Sequence, residues 1–221
     1  ASLLPLLKEK FAKEITAGKL DLVEKDILDF DPEILRFYNH PYKVVANIPY
    51  YITGEIIRKF LTAKNKPESM TLLVQKEVAE RIMAKDGKAK PREIKLSGVA
   101  RSAKSGFRES ILSLSVKFFG VPKYIQTVKR GSFNPPPNVD SAILRIEIRN
   151  KENEIWDEKE FFKLIKTGFK SKRKKLISNL SGLYEKEKLT KAFSKLSMDE
   201  NIRAEDVKLE QWLELLKILS K

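Results

Sequence analysis

Short apolar runs alternate with amphipathic segments between residues 42 and 84, and this alternation restricts the possible folds more than any other feature. The runs YKVVANI (42–48) and MTLLVQ (70–75) are rich in residues that favour strands. The segments that follow them, TGEIIRKFLTA (53–63) and KEVAERIMA (76–84), place apolar residues at the spacing of a helix. Strands and helices that alternate at such short intervals predict an α/β fold with a parallel sheet.

The segments on either side extend this pattern. Residues 3–17 predict an amphipathic helix, and KLDLVEKD (19–26) predicts a short strand that ends at Asp26. Further along, ILSLSVKFFG (111–120) and SAILRIEIR (141–149) predict two longer strands without a complete helix between them. Two such strands in succession indicate an antiparallel edge on a mostly parallel sheet.

From about residue 151 the pattern is entirely helical. The segments EKEFFKLIKTGFKSKRKKLISNL (158–180) and DVKLEQWLELLKIL (206–219) each place aromatic and aliphatic residues along one helical face. We therefore predict two domains, an α/β domain over residues 1–150 and a small helical domain over residues 151–221.

The charge distribution indicates a polyanionic partner. The chain of 221 residues carries a formal net charge of +14. Residues 1–80 hold 12 basic and 12 acidic side chains, whereas residues 81–130 hold 13 basic and 3 acidic ones. A solvated surface usually mixes the two signs, so an excess in one segment favours nucleic acid as the partner over a basic loop kept for solubility.

Composition also excludes several functional classes. The chain contains no cysteine, which removes disulfide scaffolds, thiolate metal sites and cysteine nucleophiles. The single histidine, His40, cannot build a histidine-based metal site, and we predict no metal. No apolar run approaches the roughly 18 residues that a membrane-spanning helix needs. We expect a cytoplasmic protein.

The run at 42–48 continues into Asn-Ile-Pro-Tyr, residues 47–50, an unusual ending for a buried strand. Open α/β sheets bind ligands at the carboxyl ends of their strands. Asn47 supplies a hydrogen-bond acceptor there, Pro49 fixes the turn and leaves its carbonyl oxygen unpaired, and Tyr50 offers a flat ring. Two acceptors beside an aromatic ring form a receptor for the exocyclic amine of a planar base, held by positioning more than by proton abstraction. Spacing alone favours a different interpretation, a strand-ending turn with a capping Asn and packed aromatics.

Asn-Ile-Pro-Tyr after an apolar strand resembles the target-amine motif of the rRNA adenine dimethylases. These are the KsgA-type enzymes and their erythromycin-resistance relatives, which use S-adenosylmethionine. Four further parts of the chain resemble this family and, with the motif, span most of residues 20–219: VEKDIL, LLVQKEVAERI, FNPPPNVDSAI, and GFKSKRKKLISNL with IRAEDVKLEQWLEL. The resemblance implies a Rossmann-like class I methyltransferase sheet followed by a small all-helical C-terminal domain.

The resemblance also implies roles for individual residues. Asn47 and the Pro49 carbonyl would hold the target amine. Tyr50 and Phe133 would stack on a base that has been flipped out of its RNA. Asp26, Ile27 and Asn47 would contact S-adenosylmethionine, with Asp26 on the adenine amine of the cofactor.

We assign contacts with RNA phosphates to two basic stretches on either side of the expected active-site mouth. One lies within residues 85–108 and the other is the run at 170–175. The assigned residues are Lys85, Lys88, Lys90, Arg92, Lys95, Arg101, Lys104, Arg108, Lys170, Lys172, Arg173, Lys174 and Lys175.

Two features depart from the family pattern. The Gly-rich cofactor loop and the acidic residue that binds the cofactor ribose are absent, and both would precede the helix that begins near Leu3. We therefore expect an N-terminally incomplete chain that lacks the first two strands of the usual sheet and by itself binds S-adenosylmethionine poorly. Residues 85–110 are also longer and more basic than the usual connection at this place.

The resemblance predicts a monomeric enzyme that dimethylates the N6 amine of adenines in small-subunit rRNA during ribosome biogenesis. Two alternatives remain open at this point. One is a non-catalytic RNA binder, a ribosome-assembly or transcription factor built on the same scaffold. The other is a large-subunit rRNA adenine methylase of the antibiotic-resistance type.

Overall fold

A mixed sheet organises the part of the chain that the computed structural model describes, which comprises residues 3–38, 40–83, 108–149 and 156–220. Its strands are β1 (Lys43–Asn47), β2 (Ser69–Gln75), β3 (Gly120–Val128) and β4 (Ser141–Ile148). They lie in the order β1-β2-β4-β3. β1 and β2 pair in parallel, and β4 pairs antiparallel with both β2 and β3. The antiparallel edge expected from the sequence is therefore present.

The α-helices of the same described ranges fall into two groups, those around the sheet and those that follow it. The first group is α1 (Leu4–Lys10), α2 (Ala12–Thr16), α3 (Thr53–Thr62), α4 (Lys76–Met83) and α5 (Ile111–Phe119). The second group is α6 (Glu158–Gly168), α7 (Leu176–Leu180), α8 (Lys186–Lys195) and α9 (Leu209–Leu219).

The alternation over residues 42–84 is confirmed as β1, α3, β2 and α4. In α3 the apolar residues recur at helical spacing, and the buried set is Ile56, Ile57, Phe60 and Leu61. The helix ends where Ala63 takes an extended conformation. β2 is buried along most of its length because it lies between β1 and β4. This arrangement holds the turn between β1 and α3 at the carboxyl end of a strand, as the sequence predicts.

The segment 111–120 is a helix and not the predicted strand. Ser110 and Ser113 form a capping box, in which each side chain accepts a hydrogen bond from the backbone N–H of the other. Such a box satisfies two donors that the first helical turn leaves free, and so favours a helix start at this point. α5 is buried around most of its circumference, which removes the polar face that would have revealed a helical period. The strand that pairs with β4 is instead the following segment, β3.

The predicted strand at 19–26 is also absent. This segment has no regular structure, and none of its residues is paired with a described strand. β1 is the edge of the described sheet, and its Val45 side chain is 80% exposed. An isolated strand gains no ladder hydrogen bonds, so the segment has nothing to hold it in a β conformation. The helix expected over 3–17 forms as two short helices, α1 and α2, neither of which buries a residue.

Buried apolar side chains form one continuous cluster that runs from the sheet into the C-terminal helices. Phe118 of α5 stacks on Phe161 of α6 with ring centroids 4.1 Å apart. In the same region Glu109 is buried and accepts hydrogen bonds from the Ser113 hydroxyl and the Lys117 ammonium group. Its backbone N–H donates to the carbonyl of Glu205 at 2.7 Å. Apolar and polar contacts thus both join residues 108–119 to the helices beyond residue 156.

Gly168 at the end of α6 offers a test of this packing. A Cβ atom there would collide with the Trp212 ring of α9 and lie 2.9 Å from Leu176 Cδ1. Because Trp212 is fully buried, the ring has little room to move. We expect Gly168→Ala to lower the free energy of unfolding by about 1–3 kcal/mol, the usual cost of overpacking a core. Urea denaturation measures it.

Gly182→Ala is the matched control. A Cβ atom at Gly182 meets only the Asn179 carbonyl oxygen, at the ordinary contact distance of 3.9 Å. We expect its free energy of unfolding to stay within about 0.5 kcal/mol of that of the wild type. Equal effects of the two substitutions would contradict the tight α6–α9 contact.

No helix in the described ranges is both long enough and apolar enough to cross a membrane.

Candidate active site

Asn47 lies at the carboxyl end of β1, at the last residue paired with the neighbouring strand. Its register partner in β2 is Leu73, and the backbone N–H of the next residue, Ile48, donates to the Leu73 carbonyl at 3.3 Å. Ile48 is buried, whereas Asn47 and Pro49 are exposed. The buried Ile48 side chain therefore fixes the chain at the point where it leaves the sheet, and Asn47 and Pro49 on either side stay accessible.

The Pro49 carbonyl oxygen is not unpaired, which corrects the expectation from the sequence. It accepts a hydrogen bond from the backbone N–H of Ile52 at 3.2 Å, because the chain forms a tight helical turn over Tyr50–Ile52. The Thr53 hydroxyl lies 3.4 Å from the same oxygen but only 3.1 Å from the Tyr50 carbonyl. A hydroxyl has one proton to donate and a carbonyl oxygen has two lone pairs. If Thr53 donates to the nearer oxygen, Pro49 keeps one lone pair for a ligand.

The two tyrosines of the turn have different environments. Tyr50 is half-buried, and its hydroxyl lies 2.7 Å from the Ser141 hydroxyl at the start of β4. Tyr51 is 87% exposed. Tyr50 is therefore held against the sheet at its tip, whereas Tyr51 presents its ring to solvent. The family motif includes Ser141, but nothing in the sequence pairs it with Tyr50.

Phe133 lies in the connection between β3 and β4, and it is half-buried. Asp140 closes the base of this connection: its carboxylate accepts hydrogen bonds from the Arg130 N–H at 3.0 Å and from the Lys129 ammonium group at 3.2 Å. The Arg130 N–H and, after it, Lys129 hold the pKa of Asp140 below its usual value. Ser141 pairs with Gln75 at the carboxyl end of β2, and Asn47 lies at the carboxyl end of β1. This connection and Asn47 therefore lie at the same end of the sheet.

Asp26 and Ile27 lie in a turn and not at the end of a strand. The Asp26 carboxylate accepts a hydrogen bond from the Leu28 N–H at 2.8 Å. The Leu28 carbonyl accepts one from the Lys59 ammonium group of α3 at 2.7 Å, which ties the turn to the helix that follows the Asn-Ile-Pro-Tyr motif. Asp26 is exposed and Ile27 is 36% exposed. A carboxylate has room for about four hydrogen bonds, so Asp26 retains acceptor capacity for an amine.

The basic run at 170–175 forms an exposed loop between α6 and α7 and not part of a helix. The buried Asn179 side chain anchors this loop by donating to the carbonyls of Gly168 at 2.6 Å and Ser171 at 3.0 Å. The basic side chains therefore lie on a loop whose backbone is held at Gly168 and Ser171. Of the segment 85–108, only Arg108 falls within the described residues. The predicted RNA contacts that lie outside them are Lys85, Lys88, Lys90, Arg92, Lys95, Arg101 and Lys104.

A cleft of about 670 Å³ brings cations from both basic stretches together. Arg108 and Lys172, two of the predicted RNA contacts, line it with Arg58 of α3 and Arg81 of α4. Arg81 pairs with Glu77 at 2.7 Å, and Arg108 pairs with Glu205 at 3.4 Å. Arg58 and Arg81 were not predicted from the sequence. The helical period places Arg58 one turn after Gly54, on the same face of α3, and Gly54 also lines the cleft.

The described residues contain no cluster of three or more His, Cys, Asp or Glu side chains that could hold a metal ion.

Comparison with known proteins identifies the family. The model of the family described as ribosomal RNA adenine dimethylase matches residues 1–221, the whole chain. The chain belongs to this family. Membership confirms the family expected from the sequence and, with it, the class of enzyme, a methyltransferase that uses S-adenosylmethionine as the methyl donor.

Curated relatives carry a more specific name. A protein of Fusobacterium nucleatum named ribosomal RNA small subunit methyltransferase A is 38% identical over 96% of this chain and 72% of its own length. A protein of the same name from Dehalococcoides mccartyi is 40% identical over 88% of this chain and 61% of its length. One from Trichormus variabilis is 36% identical over 98% of this chain and 82% of its length. The chain thus spans between about three fifths and four fifths of these relatives.

Solved structures confirm the expected fold class. The 23S rRNA methyltransferase ErmE superposes with a TM-score of 0.70 over 98% of this chain and 79% of its own, at 22% identity. A dimethyladenosine transferase from Plasmodium falciparum superposes with a TM-score of 0.68 over 96% of this chain and 77% of its own, at 22% identity. At such identities the match bears on the fold alone, which is the Rossmann-like methyltransferase sheet with helices.

Proposed function

We propose that this chain carries the target-base site of an enzyme that methylates adenines of small-subunit rRNA twice at N6, during ribosome biogenesis. The observation that carries the proposal is the Asn-Ile-Pro-Tyr turn, which leaves the strand at Asn47 in a chain that belongs to the rRNA adenine dimethylase family. The relatives named for the small subunit, at 36–40% identity, favour that subunit over the large one.

Asn47 and Pro49 hold the target amine. The Asn47 side-chain oxygen accepts one hydrogen of the adenine amine, and the remaining lone pair of the Pro49 carbonyl accepts the other. S-adenosylmethionine supplies the electrophilic methyl group. The two acceptors fix the direction of the nitrogen lone pair, so the contribution of the protein is positioning, together with stabilisation of the positive charge that develops on the amine.

Tyr50 and Phe133 stack on the flipped adenine. Both are half-buried, and both belong to segments at the end of the sheet where Asn47 lies. An aromatic ring offers a face to a base without selecting its sequence context. The amine acceptors therefore select a base with an exocyclic amine, and the rings retain it.

Asp26, Ile27 and Asn47 fit the adenine end and the methyl end of the cofactor. The Asp26 carboxylate is exposed with acceptor capacity left after its bond to Leu28, which suits the exocyclic amine of the cofactor adenine. Ile27, next in the chain, is partly exposed and offers an apolar contact. Asn47 lies where the reacting amine and the methyl group have to meet.

The 170–175 loop binds RNA phosphates. Replacing Lys172, Arg173, Lys174 and Lys175 with alanine should flatten the slope of log K against log salt by up to about 0.7–0.9 for each phosphate that the variant no longer neutralises. Affinity should fall for all RNA sequences alike, because phosphates carry no base identity. Filter-binding titrations at several salt concentrations measure both quantities.

A control removes the same charge elsewhere on the helical part. Lys186, Lys191, Lys195 and Lys217 are exposed residues of α8 and α9 and do not line the cationic cleft. The corresponding alanine variant should leave the salt slope closer to that of the wild type. Equal slopes for the two quadruple variants would show that the 170–175 loop makes no particular contact. The RNA contacts assigned within residues 85–104 stay predictions.

Mass spectrometry of rRNA tests the reaction itself. The full-length protein is incubated with S-adenosylmethionine and either small-subunit or large-subunit rRNA that lacks adenine methylation. We expect N6,N6-dimethyladenine in the small-subunit rRNA only. Methylation of the large-subunit rRNA would favour the antibiotic-resistance type of enzyme, and RNA binding without methylation would favour a non-catalytic assembly factor.

A monomeric state, a cytoplasmic location and a division into domains at 1–150 and 151–221 complete the proposal. The proposed base site needs the Asn-Ile-Pro-Tyr turn and the connection that carries Phe133. One copy of the chain supplies both, so the site requires no second copy. Sedimentation of the full-length protein checks the monomer, and fractionation of cells checks the compartment. Limited proteolysis that cuts near residue 150 would support the domain boundary.

A further inference from the structure

The Ser141 hydroxyl is a fully buried polar group at the end of the sheet where Asn47 lies. Ser141 is 0% exposed, and its hydroxyl lies 2.7 Å from that of Tyr50. The two residues are 91 positions apart in the chain. This hydrogen bond therefore ties the Asn-Ile-Pro-Tyr turn to the start of β4.

The position of Ser141 is fixed from two sides. It pairs with Gln75 of β2 and with Val128 of β3, so its backbone belongs to a strand with neighbours on both edges. The carbonyl of the preceding residue, Asp140, also accepts a hydrogen bond from the Lys76 N–H at 3.0 Å. A hydroxyl on such a backbone has little freedom, which suits it to orient another group.

Tyr50, in contrast, lies at the start of a single helical turn that continues into α3. The turn begins at the exposed Pro49, and the Tyr50 ring is only half-buried. A tyrosine has two side-chain torsions, and a hydrogen bond at the hydroxyl restrains both of them. The Ser141 hydroxyl thus supplies a restraint at the tip of the ring in addition to its packing.

Asp140 and Ser141 act on the two aromatic segments from consecutive positions. The Asp140 side chain closes the base of the connection that carries Phe133, through Lys129 and Arg130. The Ser141 side chain holds Tyr50. The backbone of Asp140 and Ser141 is held by Gln75, Lys76 and Val128. These two residues therefore position both segments that carry the stacking rings.

We infer that Ser141 is a positioning residue for base capture, whose hydroxyl holds the Tyr50 ring at the orientation in which it stacks on the flipped adenine. The inference rests on the proposed function, because it assigns a role within that reaction. Ser141 acts through Tyr50 and makes no contact with the base. Its loss should lower turnover through misplacement of the ring, while the sheet itself remains folded.

The test compares Ser141→Ala, Tyr50→Phe and the double variant in the full-length protein. Both single changes remove the same hydrogen bond, from opposite ends, and Tyr50→Phe keeps the stacking ring. We expect each to lower the single-turnover rate on small-subunit rRNA by about 10- to 100-fold, the usual effect of a misplaced reacting group. The double variant should be no slower than the slower single variant, because the bond can be lost only once.

Three further measurements separate positioning from a merely structural role. RNA with 2-aminopurine in place of the target adenine offers no N6 amine to Asn47 and Pro49 and so reports stacking on the rings alone, and Ser141→Ala should leave the flipped base more fluorescent than wild type does. Urea denaturation and the affinity for S-adenosylmethionine should stay near wild type. Ser141→Thr keeps the hydroxyl and should recover most of the rate.

Each outcome decides the inference. Wild-type turnover of Ser141→Ala in an active protein overturns it and leaves the proposed function intact, as does multiplication of the two single effects in the double variant. A fall in rate matched by a fall in the free energy of unfolding also overturns it. A wild-type protein that methylates no small-subunit rRNA overturns the proposed function and, with it, this inference.

Discussion

Asn47→Ala should lower the rate of methyl transfer to small-subunit rRNA by about 100- to 1000-fold, the usual loss when one positioned hydrogen-bonding group is removed from a reacting centre. Asn47 is exposed at the end of β1, and the substitution removes the side-chain acceptor without altering the buried Ile48 that anchors the turn. Single-turnover assays with the full-length protein and radiolabelled S-adenosylmethionine measure the rate.

RNA affinity should stay nearly unchanged in this variant, because Asn47 contacts no phosphate in the proposed arrangement. Filter binding checks this point. Asn201→Ala is a suitable control, since Asn201 is an exposed asparagine of the helical part whose hydrogen bonds are to the neighbouring Asp199. Near-normal turnover of Asn47→Ala would end the assignment of Asn47 as an amine acceptor.

Phe133→Ala should weaken capture of the flipped adenine by about 1–3 kcal/mol, the range for stacking of one base on one aromatic side chain. This corresponds to roughly 5- to 150-fold in affinity. Phe133 is only half-buried, so its ring has a face available for a base. The affinity for RNA with and without an adenine at the target position measures the contribution of that one base.

Phe133→Tyr separates stacking from packing. It keeps the aromatic plate, so it should retain most of the affinity that the alanine variant loses. If the alanine and tyrosine variants bind alike, the Phe133 ring does not stack on the base. An equal loss of affinity for RNA without the target adenine would instead assign Phe133 to the packing of the connection between β3 and β4.

The sequence predicts the elements around the site better than those at the margins of the sheet. α3 and α4 carry a clear helical period because each has one buried and one exposed side, and β1 and β2 are short runs rich in strand-forming residues between polar turns. α5 does not, since its apolar residues alternate with Ser113, Ser115 and Lys117 as in a strand, while the helix buries the two serines as well. The capping serines at 110 and 113 were the available signal.

The segment 19–26 was also predicted as a strand, and it has no regular structure. Its alternating apolar residues fit a strand locally, but a strand depends on a partner that a local pattern does not contain. In the described residues β1 ends the sheet on that side. The prediction therefore failed on tertiary context and not on propensity.

Within the site, the sequence predicts which residues are present but not the hydrogen bonds and contacts between them. Asn47, Pro49 and Tyr50 follow from one short motif. The bond between Tyr50 and Ser141 joins positions far apart in the chain, and the hydrogen bond from Ile52 to the Pro49 carbonyl depends on the local turn. Arg58 and Arg81 join Arg108 and Lys172 only because α3, α4 and the 170–175 loop surround one cleft.

The stacked rings of Phe118 and Phe161 have a consequence for thermal denaturation. They belong to one apolar cluster that extends from β2 and β4 to α9, so neither the sheet nor the C-terminal helices can lose their side-chain packing alone without exposing part of the other. Elements that share a core in this way melt together. A scanning calorimeter should therefore record one heat-absorption peak, whose calorimetric and van't Hoff enthalpies agree.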